Sequence, residues 1–257
     1  MTSGQATPAG SDARASGSGV GRPLLTSDVE SFKAGHTALR PLLVEELGDV
    51  AGKTLLHLHC GRGLETLSWA RLGAEVTGVD PSPDAIEAAR ELAAETGLRA
   101  TFMQADPSDV ERELPGTFDI VFASWGALAQ QGDLHCWAHI VAHYLRPRGT
   151  LYLTDVHPFA RTLEETDDHD VRVSYPYLAP EPPSRCDRGS PHGFAEIINA
   201  LIEAGLRLEF LHEFPFAAAP LWEWMERDPQ GWSRLPDRGP DIPLAYSLAA
   251  TKPMGGA

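Results

Sequence analysis

The sequence predicts an α/β fold: a doubly wound, mostly parallel seven-stranded sheet with helices on both faces and an antiparallel hairpin at its C-terminal edge. Three observations predict it. Strand-like and helix-like segments alternate from residue 53 to 156. The strand segments are apolar almost throughout, as strands covered on both faces are. Two more strand-like segments come late, with a long stretch between them, which suits an antiparallel edge pair.

Each element can be justified in turn. Residues 1 to about 22 are mostly Gly, Ser, Ala and Thr, with little to bury, and read as a disordered tail. Residues 23–257 then form a single domain, at roughly 100–200 residues per domain. A helix is expected over about 27–48, as an N-terminal helical lid. "KTLLHLHC" is the first strand and "LETLSWARLG" a helix that stops at Gly73. "AEVTGVD" is the second strand. "SPDAIEAARELAAETG" is a helix with Ser82 as N-cap, Pro83 at its first position and Gly97 after its end. "RATFMQAD" and "FDIVFAS" are the third and fourth strands, the latter too apolar to have one face in water. "DLHCWAHIVAHYLRPRG" is a helix and "TLYLTDV" the fifth strand. Residues 157–190 show no period and are rich in Pro, Arg and acids, which predicts a functional insertion or lid. In "SPHGFAEIINALIEAG", Phe194, Ile197, Ile198 and Leu201 share one helix face. "LRLEFLHEF" alternates as a strand, and "IPLAYSLAAT" is the last one.

Composition narrows the partners. The net charge is −15, from 36 acids against 21 bases. Such a surface repels phosphate backbones and anionic lipid, so neither nucleic acid nor membrane is an expected partner. No apolar stretch approaches the ~20 residues of a membrane span, and no secretory leader is evident. Cys60, Cys136 and Cys186 lie far apart and form no CxxC pair, which suits a reduced cytoplasm. A monomer or homodimer is expected.

Chemistry gathers where the strands end. In open α/β sheets ligands sit beyond the carboxyl ends, where strand order reverses. The first strand ends at Cys60-Gly61-Arg62-Gly63, and glycines there let a ligand come close to the backbone. The second ends at Asp80, 17 residues after Gly63, where a carboxylate can accept both hydroxyls of a ribose. The third ends at Asp106, which can accept from an adenine amino group. Together they point to a nucleoside. A dinucleotide would want a third small residue where Thr66 stands, and Glu65 is a poor neighbour for its pyrophosphate. S-adenosylmethionine carries no phosphate and meets neither objection.

At these residues the chain resembles the class I S-adenosylmethionine-dependent methyltransferases, over about 27–253. More narrowly it resembles a bacterial small-molecule branch with an LHLxC-type first motif. The blocks that carry the likeness are "LLHLHCGRGLETLSWARLGAEVTGVD", "FDIVFASWGAL", "YLRPRGTLYLTDVHP", "HGFAEIINALIEAGLRLEFLHE" and "IPLAYSLAATK". The resemblance implies a Rossmann-like sheet and methylation of a small molecule at oxygen or nitrogen, leaving S-adenosyl-L-homocysteine. It implies that the cofactor turn comprises His59, Cys60, Gly61 and Gly63, and that Asp80 with Pro81 meets the ribose. Asp106 with Pro107 would frame the adenine, and Ser124 and Trp125 would lie near the methionine portion and the methyl group. The family's general pattern has an acid where His57 stands and glycine where His59 stands, although the branch tolerates His and a polar residue there. The replaced acid puts the usual hold on the methionine amino group in question. Rival readings are an NAD-dependent oxidoreductase and a protein of this fold that binds S-adenosylmethionine without transferring methyl.

The ten histidines invite other roles. His135, His139 and His143 share a helix face but span about 12 Å, too far for one ion, so no metal is expected. His57 and His59, at alternate positions, should face the same side as packed residues. His157, in "TDVHP" after the fifth strand, is the candidate catalytic base, and Asp155 could orient it. His36 and His192 could close over substrate. Tyr175, Tyr177, Phe214, Phe216, Trp222, Trp224 and Trp232 could wall a pocket for a planar acceptor, though most suit core or lid packing.

Overall fold

The computed structural model describes residues 26–106, 110, 114–129, 131–178, 192–236 and 242–254. The expected tail over residues 1–22 lies outside them. The main sheet contains β1 (Thr54–Leu58), β2 (Glu75–Asp80), β3 (Ala100–Gln104), β4 (Phe118–Ser124), β5 (Leu145–Val156), β8 (Arg207–Phe214) and β12 (Ala245–Thr251). Its order is β3-β2-β1-β4-β5-β12-β8. β1 to β5 pair in parallel. β12 runs antiparallel to both β5 and β8, so the late pair sits as the sequence predicts, with β8 at the edge. Order reverses between β1 and β4, and both the glycine turn and Ser124 lie at the carboxyl ends there.

Alternation along each strand divides the core in two. Leu55, Ile120, Phe122 and Tyr152 face one way and pack with Trp69 of α3 (Leu64–Arg71) and Leu43 of α2 (Pro41–Leu47). Leu56, Val121, Ala123 and Leu153 face the other way and pack with Trp137 and Val141 of α5 (Leu134–Tyr144) and Ile197 of α6 (Phe194–Glu203). All seven residues of β4 are buried, as an apolar run between two helical layers must be. α4 (Pro83–Thr96) starts as its sequence dictates: Ala85 N–H donates to Ser82 Oγ at 3.2 Å, with Pro83 in the first turn. α5 is capped by Asp133, which accepts from Cys136 N–H at 3.0 Å.

Three regions depart from expectation. The single N-terminal helix over 27–48 is two, α1 (Thr26–Lys33) and α2. Arg40 is held extended by the proline that follows it, at ψ 144°, so no helix can run through. The aperiodic stretch after β5 holds a 3-10 helix (Pro158–Thr162) and a two-stranded ribbon of β6 (Leu163–Glu165) and β7 (Val171–Val173). Between β8 and β12 lies a small sheet of β9 (Phe216–Ala217), β10 (Glu226–Arg227) and β11 (Ser233–Arg234). Strands of two or three residues are too short to leave a period in the sequence. Among the described residues no helix is long and apolar enough to cross a membrane.

Candidate functional site

The turn after β1 is built from left-handed backbone. His59, Gly61 and Gly63 have φ of 57°, 52° and 76°. The two glycines take that shape for different reasons. A Cβ at Gly63 would come within 2.8 Å of the Phe102 ring and 2.9 Å of Ala89, so this glycine lets α3, α4 and β3 close up. A Cβ at Gly61 would meet nothing within 4 Å, so the open surface of the turn is at Gly61. Room for a ligand is therefore at one glycine rather than two. His59 occupies a backbone shape that favours glycine, at a cost of about 1–2 kcal/mol. Its ring accepts from Gln131, Nε2 to Nε2 at 2.5 Å, which helps hold it there.

The alternation that would set the two histidines of this motif on one face stops before the second of them. β1 ends at Leu58, and the positive φ at His59 breaks the alternation. His57 is buried, bonded through Nδ1 to Thr66 Oγ1 at 2.8 Å, with its ring edge on Phe122 at 4.8 Å. Burial pushes it down to about 3, so it is a neutral tie between β1 and α3. Cys60 contributes its backbone: its N–H donates to Val79 O and its carbonyl accepts from Gly63 N–H, both at 3.0 Å. Burial raises its thiol far above the usual range, which makes it inert.

Asp80 ends β2 against this turn. Gly61 N–H donates to its Oδ2 at 2.8 Å and Ser82 N–H to its Oδ1 at 2.9 Å. Each oxygen is fixed by one backbone donor and can still accept another. Such a carboxylate beside an open glycine fits a ribose diol. Pro81 follows it, with its carbonyl accepting from Gln104 Nε2 at 3.4 Å. Asp106 is exposed just past β3, and the charges of Asp80 and Asp106 both reach His59, whose pKa burial nevertheless lowers. Glycine turn and both acids are thus gathered at one sheet edge. Pro107 lies outside the described residues.

Across the switch point, Ser124 Oγ donates to Glu65 Oε2 at 2.5 Å and lies 3.5 Å from His57 Nε2. Burial pushes the Glu65 carboxyl up to about 6, against the pull of hydrogen bonds from Ser124 and Trp125 and of the Arg40 charge. Sequence reasoning gives Glu65 only as a poor neighbour for phosphate. The available signal is an acid in the first turn of the helix that leaves the glycine loop. Trp125 itself has φ 33°, and its N–H donates to Thr154 O at 2.9 Å. Its ring lies 6.1 Å from Trp232, which tilts on Phe216 at 4.5 Å, which in turn stacks on Phe214 at 5.0 Å. Of the aromatic residues singled out in the sequence, Phe214, Phe216 and Trp232 thus form one cluster with Trp125, in which Trp232 is buried. Trp222 and Trp224 pack with each other beside Met225 and Leu244, and Tyr177 packs near Arg161, so they are not part of it. Tyr175 is placed by its N–H, which donates to Thr162 O at 3.1 Å.

The remaining candidates are occupied elsewhere. His157 Nδ1 accepts from Phe159 N–H at 3.0 Å, capping the 3-10 helix, so Nε2 carries the proton and donates to Glu213 Oε1 at 2.7 Å. Neither nitrogen is left to take a proton from substrate. Asp155 does not orient it: Asp155 Oδ1 accepts the N–H groups of Gly126 at 2.8 Å and Val156 at 2.7 Å. Burial pushes that carboxyl up to about 6. His36 is exposed and not in a helix, and its backbone lies against the end of α3 far from the turn. Its carbonyl accepts from Arg71 at the last turn of α3, roughly 10 Å along the helix from the Gly63 end. His192 is buried, with Nε2 2.8 Å from Gln131 O and Nδ1 2.9 Å from Glu196 Oε1. It braces the loop whose Gln131 side chain holds His59, rather than facing substrate.

On α5, His135 pairs with Glu203 at 2.9 Å, and His139 and His143 are exposed. Among the described residues no three His, Cys, Asp or Glu side chains converge as a metal would need. A cavity of about 310 Å³ opens at the amino ends of the strands, the wrong end for this site. In its lining Arg146 pairs with Asp119 and Tyr152 with Glu46.

Residues 55–149 match a family model described as a methyltransferase domain. A ubiquinone biosynthesis O-methyltransferase of Xanthomonas euvesicatoria is 33% identical over 120 residues, 46% of this chain and 50% of that protein. One from Vibrio parahaemolyticus is 38% identical over 79 residues, 31% of this chain and 34% of that protein. The chain thus spans half or less of the length of these curated relatives. In structure it is similar to an S-adenosylmethionine-dependent methyltransferase from Mesorhizobium loti, with a TM-score of 0.65 at 23% identity over 82% of this chain and 96% of that one. It is also similar to magnesium protoporphyrin IX methyltransferase from Synechocystis with bound S-adenosylmethionine, with a TM-score of 0.51 at 17% identity over 88% and 78%. Both likenesses are of fold.

Proposed function

We propose that this chain is a class I S-adenosylmethionine-dependent methyltransferase and that it methylates a small molecule at oxygen or nitrogen. The observation that carries this reading is Asp80, held by Gly61 and Ser82 N–H beside the open face of the turn. Asp80 would hold the ribose, Asp106 would flank the adenine, and Ser124 and Trp125 would border the methionine side. When bound, the cofactor supplies a methyl group on a sulfonium, a good leaving group for in-line displacement. The chain's own work is then to bind, align and exclude water. Trp125 and Phe216, half-buried around the buried Trp232, would supply apolar contact for an acceptor beside the switch point. With both nitrogens of His157 engaged, the reading assigns no side chain as general base. Acceptors whose nucleophile is already basic, or is ionised at neutral pH, suit it best. Hydroxyl acceptors come first, because the curated relatives are named as O-methyltransferases. A cytoplasmic setting fits the scattered cysteines.

Calorimetry with S-adenosylmethionine and with NAD tests the cofactor, and mass detection of S-adenosylhomocysteine across phenols, acids and amines tests the transfer. Saturable binding of S-adenosylmethionine alone is expected. Binding of NAD in its place would sink the proposal.

A further inference from the structure

We infer that Glu65 is the acid that receives the α-ammonium of the cofactor's methionine portion, in place of the carboxylate that β1 lacks at His57. The inference rests on the cofactor reading above. Two positions fix the direction of the cofactor. Asp80 and Asp106 stand on the β2–β3 side, so the adenosine lies there. The rest of the molecule must then cross the switch point toward the end of β4. The side chains waiting there are Glu65, Ser124 and Trp125. β1 brings an imidazole to this spot, not an acid, and that imidazole is neutral and bound to Thr66. Glu65 reaches the same place from the opposite direction. It descends from the first turn of α3 onto Ser124 Oγ, whose other neighbour is His57 Nε2. An acid has been moved from the strand to the helix, with the serine hydroxyl common to both.

Its partners favour the ionised carboxylate, the form with which a ligand ammonium would pair. Ser124 and Trp125 donate to it, and Arg40 is the charged side chain that acts on it. It stays half-buried rather than sealed. Asp155, the other acid near the end of β4, is fully buried, and its Oδ1 is taken by two backbone N–H groups. A ligand ammonium can reach Glu65 and cannot reach Asp155. The raised pKa of Glu65 fits a carboxylate that is only partly compensated until a cation arrives.

The test is calorimetry on Glu65→Gln with three probes: S-adenosylmethionine, S-adenosylhomocysteine and 5′-methylthioadenosine. The first two carry the ammonium, only the first carries the sulfonium, and the third carries neither. The variant should bind S-adenosylmethionine and S-adenosylhomocysteine about tenfold or more weakly, as loss of one charged hydrogen bond implies. Its affinity for 5′-methylthioadenosine should match the wild type within about twofold, which also shows that the turn is still folded. In the wild type, S-adenosylhomocysteine affinity should fall as pH drops below about 6, and in the variant this fall should be lost. The groups facing Glu65 are Arg40, His57, Ser124, Trp125 and, across the sheet, Tyr152, and none of them replaces it as a carboxylate. Asp155 titrates in both proteins and cancels in the comparison. Unchanged S-adenosylhomocysteine affinity in the variant overturns the inference and leaves the cofactor reading standing. Weakening confined to S-adenosylmethionine also overturns it, since the charge would then face the sulfonium. Equal weakening of 5′-methylthioadenosine overturns it as well, by showing a general effect on the turn. Wild-type protein that binds none of the three overturns the cofactor reading and the inference with it.

Discussion

The side of this molecule proposed for the cofactor and the side proposed for the acceptor are held together differently. On the first, Gly61 and Ser82 N–H donate to the Asp80 carboxylate and Cys60 N–H to Val79 O, at 2.8 to 3.0 Å, where the regular strands of the main sheet end. On the second, over 158–173 and 216–234, a 3-10 helix and strands of two or three residues pair over short ladders only, and ring contacts such as Phe216 on Trp232 link them. Backbone bonds between regular strands fix positions to a fraction of an ångström. Ring stacks among short elements fix a surface and tolerate a change of residue. A constant cofactor needs the first kind of site, and an acceptor that differs between related enzymes is served by the second. The family match, which covers 55–149 and stops before the insertion, follows the same division.

The largest expected effect probes the rigidity of the first side. Phe122 is fully buried between His57, Trp69 and Tyr152, with ring centroids 4.8, 5.5 and 5.9 Å away. Phe122→Ala should lower the free energy of unfolding in urea by about 3–5 kcal/mol. A loss below about 1 kcal/mol would mean that the sheet under the turn is not the stiff element, and the contrast between the two sides would fail. Next comes Asp80→Ala, which should weaken S-adenosylhomocysteine binding by about tenfold or more, or ~1.5–3 kcal/mol. An unchanged Kd would move the ribose elsewhere.

How legible each side is in the sequence follows from the same physics. β1 and β4 are visible as apolar runs and β5 from Thr150 on, although its first five residues read as the end of a helix; Ser82 and Gly97 mark α4, and Asp80 and Asp106 fall at strand ends. Regular structure writes its period into the chain. The small sheet of β9, β10 and β11 has no period to write, and the roles of His157, Asp155 and His192 are set by partners distant in sequence, Glu213, Gly126 and Gln131. His57 and His59 show the limit most closely. Their alternate spacing implies one shared face, and the alternation stops at His59, a left-handed residue just past the end of β1. Glu65 was visible in sequence, but its meaning depends on Ser124, 59 residues away.

The pH dependence of stability sharpens the comparison further. His57 is pushed down to about 3 in the folded chain, below its usual 6.5. Between these values the unfolded chain binds a proton that the folded one does not, so this residue's contribution is lost as pH falls through about 6.5. Glu65 and Asp155, both raised to about 6, act in the opposite sense between that value and their unfolded range. A comparison of His57→Asn with the wild type isolates the histidine. Between pH 6.5 and 5 the wild type should lose about 2 kcal/mol relative to the variant, at ~1.4 kcal/mol per pH unit. Parallel stability curves would show that His57 is not sealed in the core.

The smallest effect is expected at His157, and it bears on the acceptor side. A histidine after the fifth strand has the position of a general base, and removing such a base costs about 10²–10⁴ in turnover. Here its Nδ1 accepts Phe159 N–H and its Nε2 meets Glu213, so its work is to begin the 3-10 helix and fasten it to β8. Burial lowers its pKa and Glu213 opposes the shift, so lowering the pH tends to release the cap rather than to disarm a catalyst. His157→Asn keeps a side chain that can cap. It should cost about 1 kcal/mol of stability, within the range for a lost or weakened cap. Turnover at saturating acceptor should stay within about twofold, and the pH–rate profile should keep its shape. A drop of a hundredfold with the pH limb abolished would restore His157 as the base. It would also show that the acceptor side holds at least one residue as tightly as the cofactor side holds Asp80.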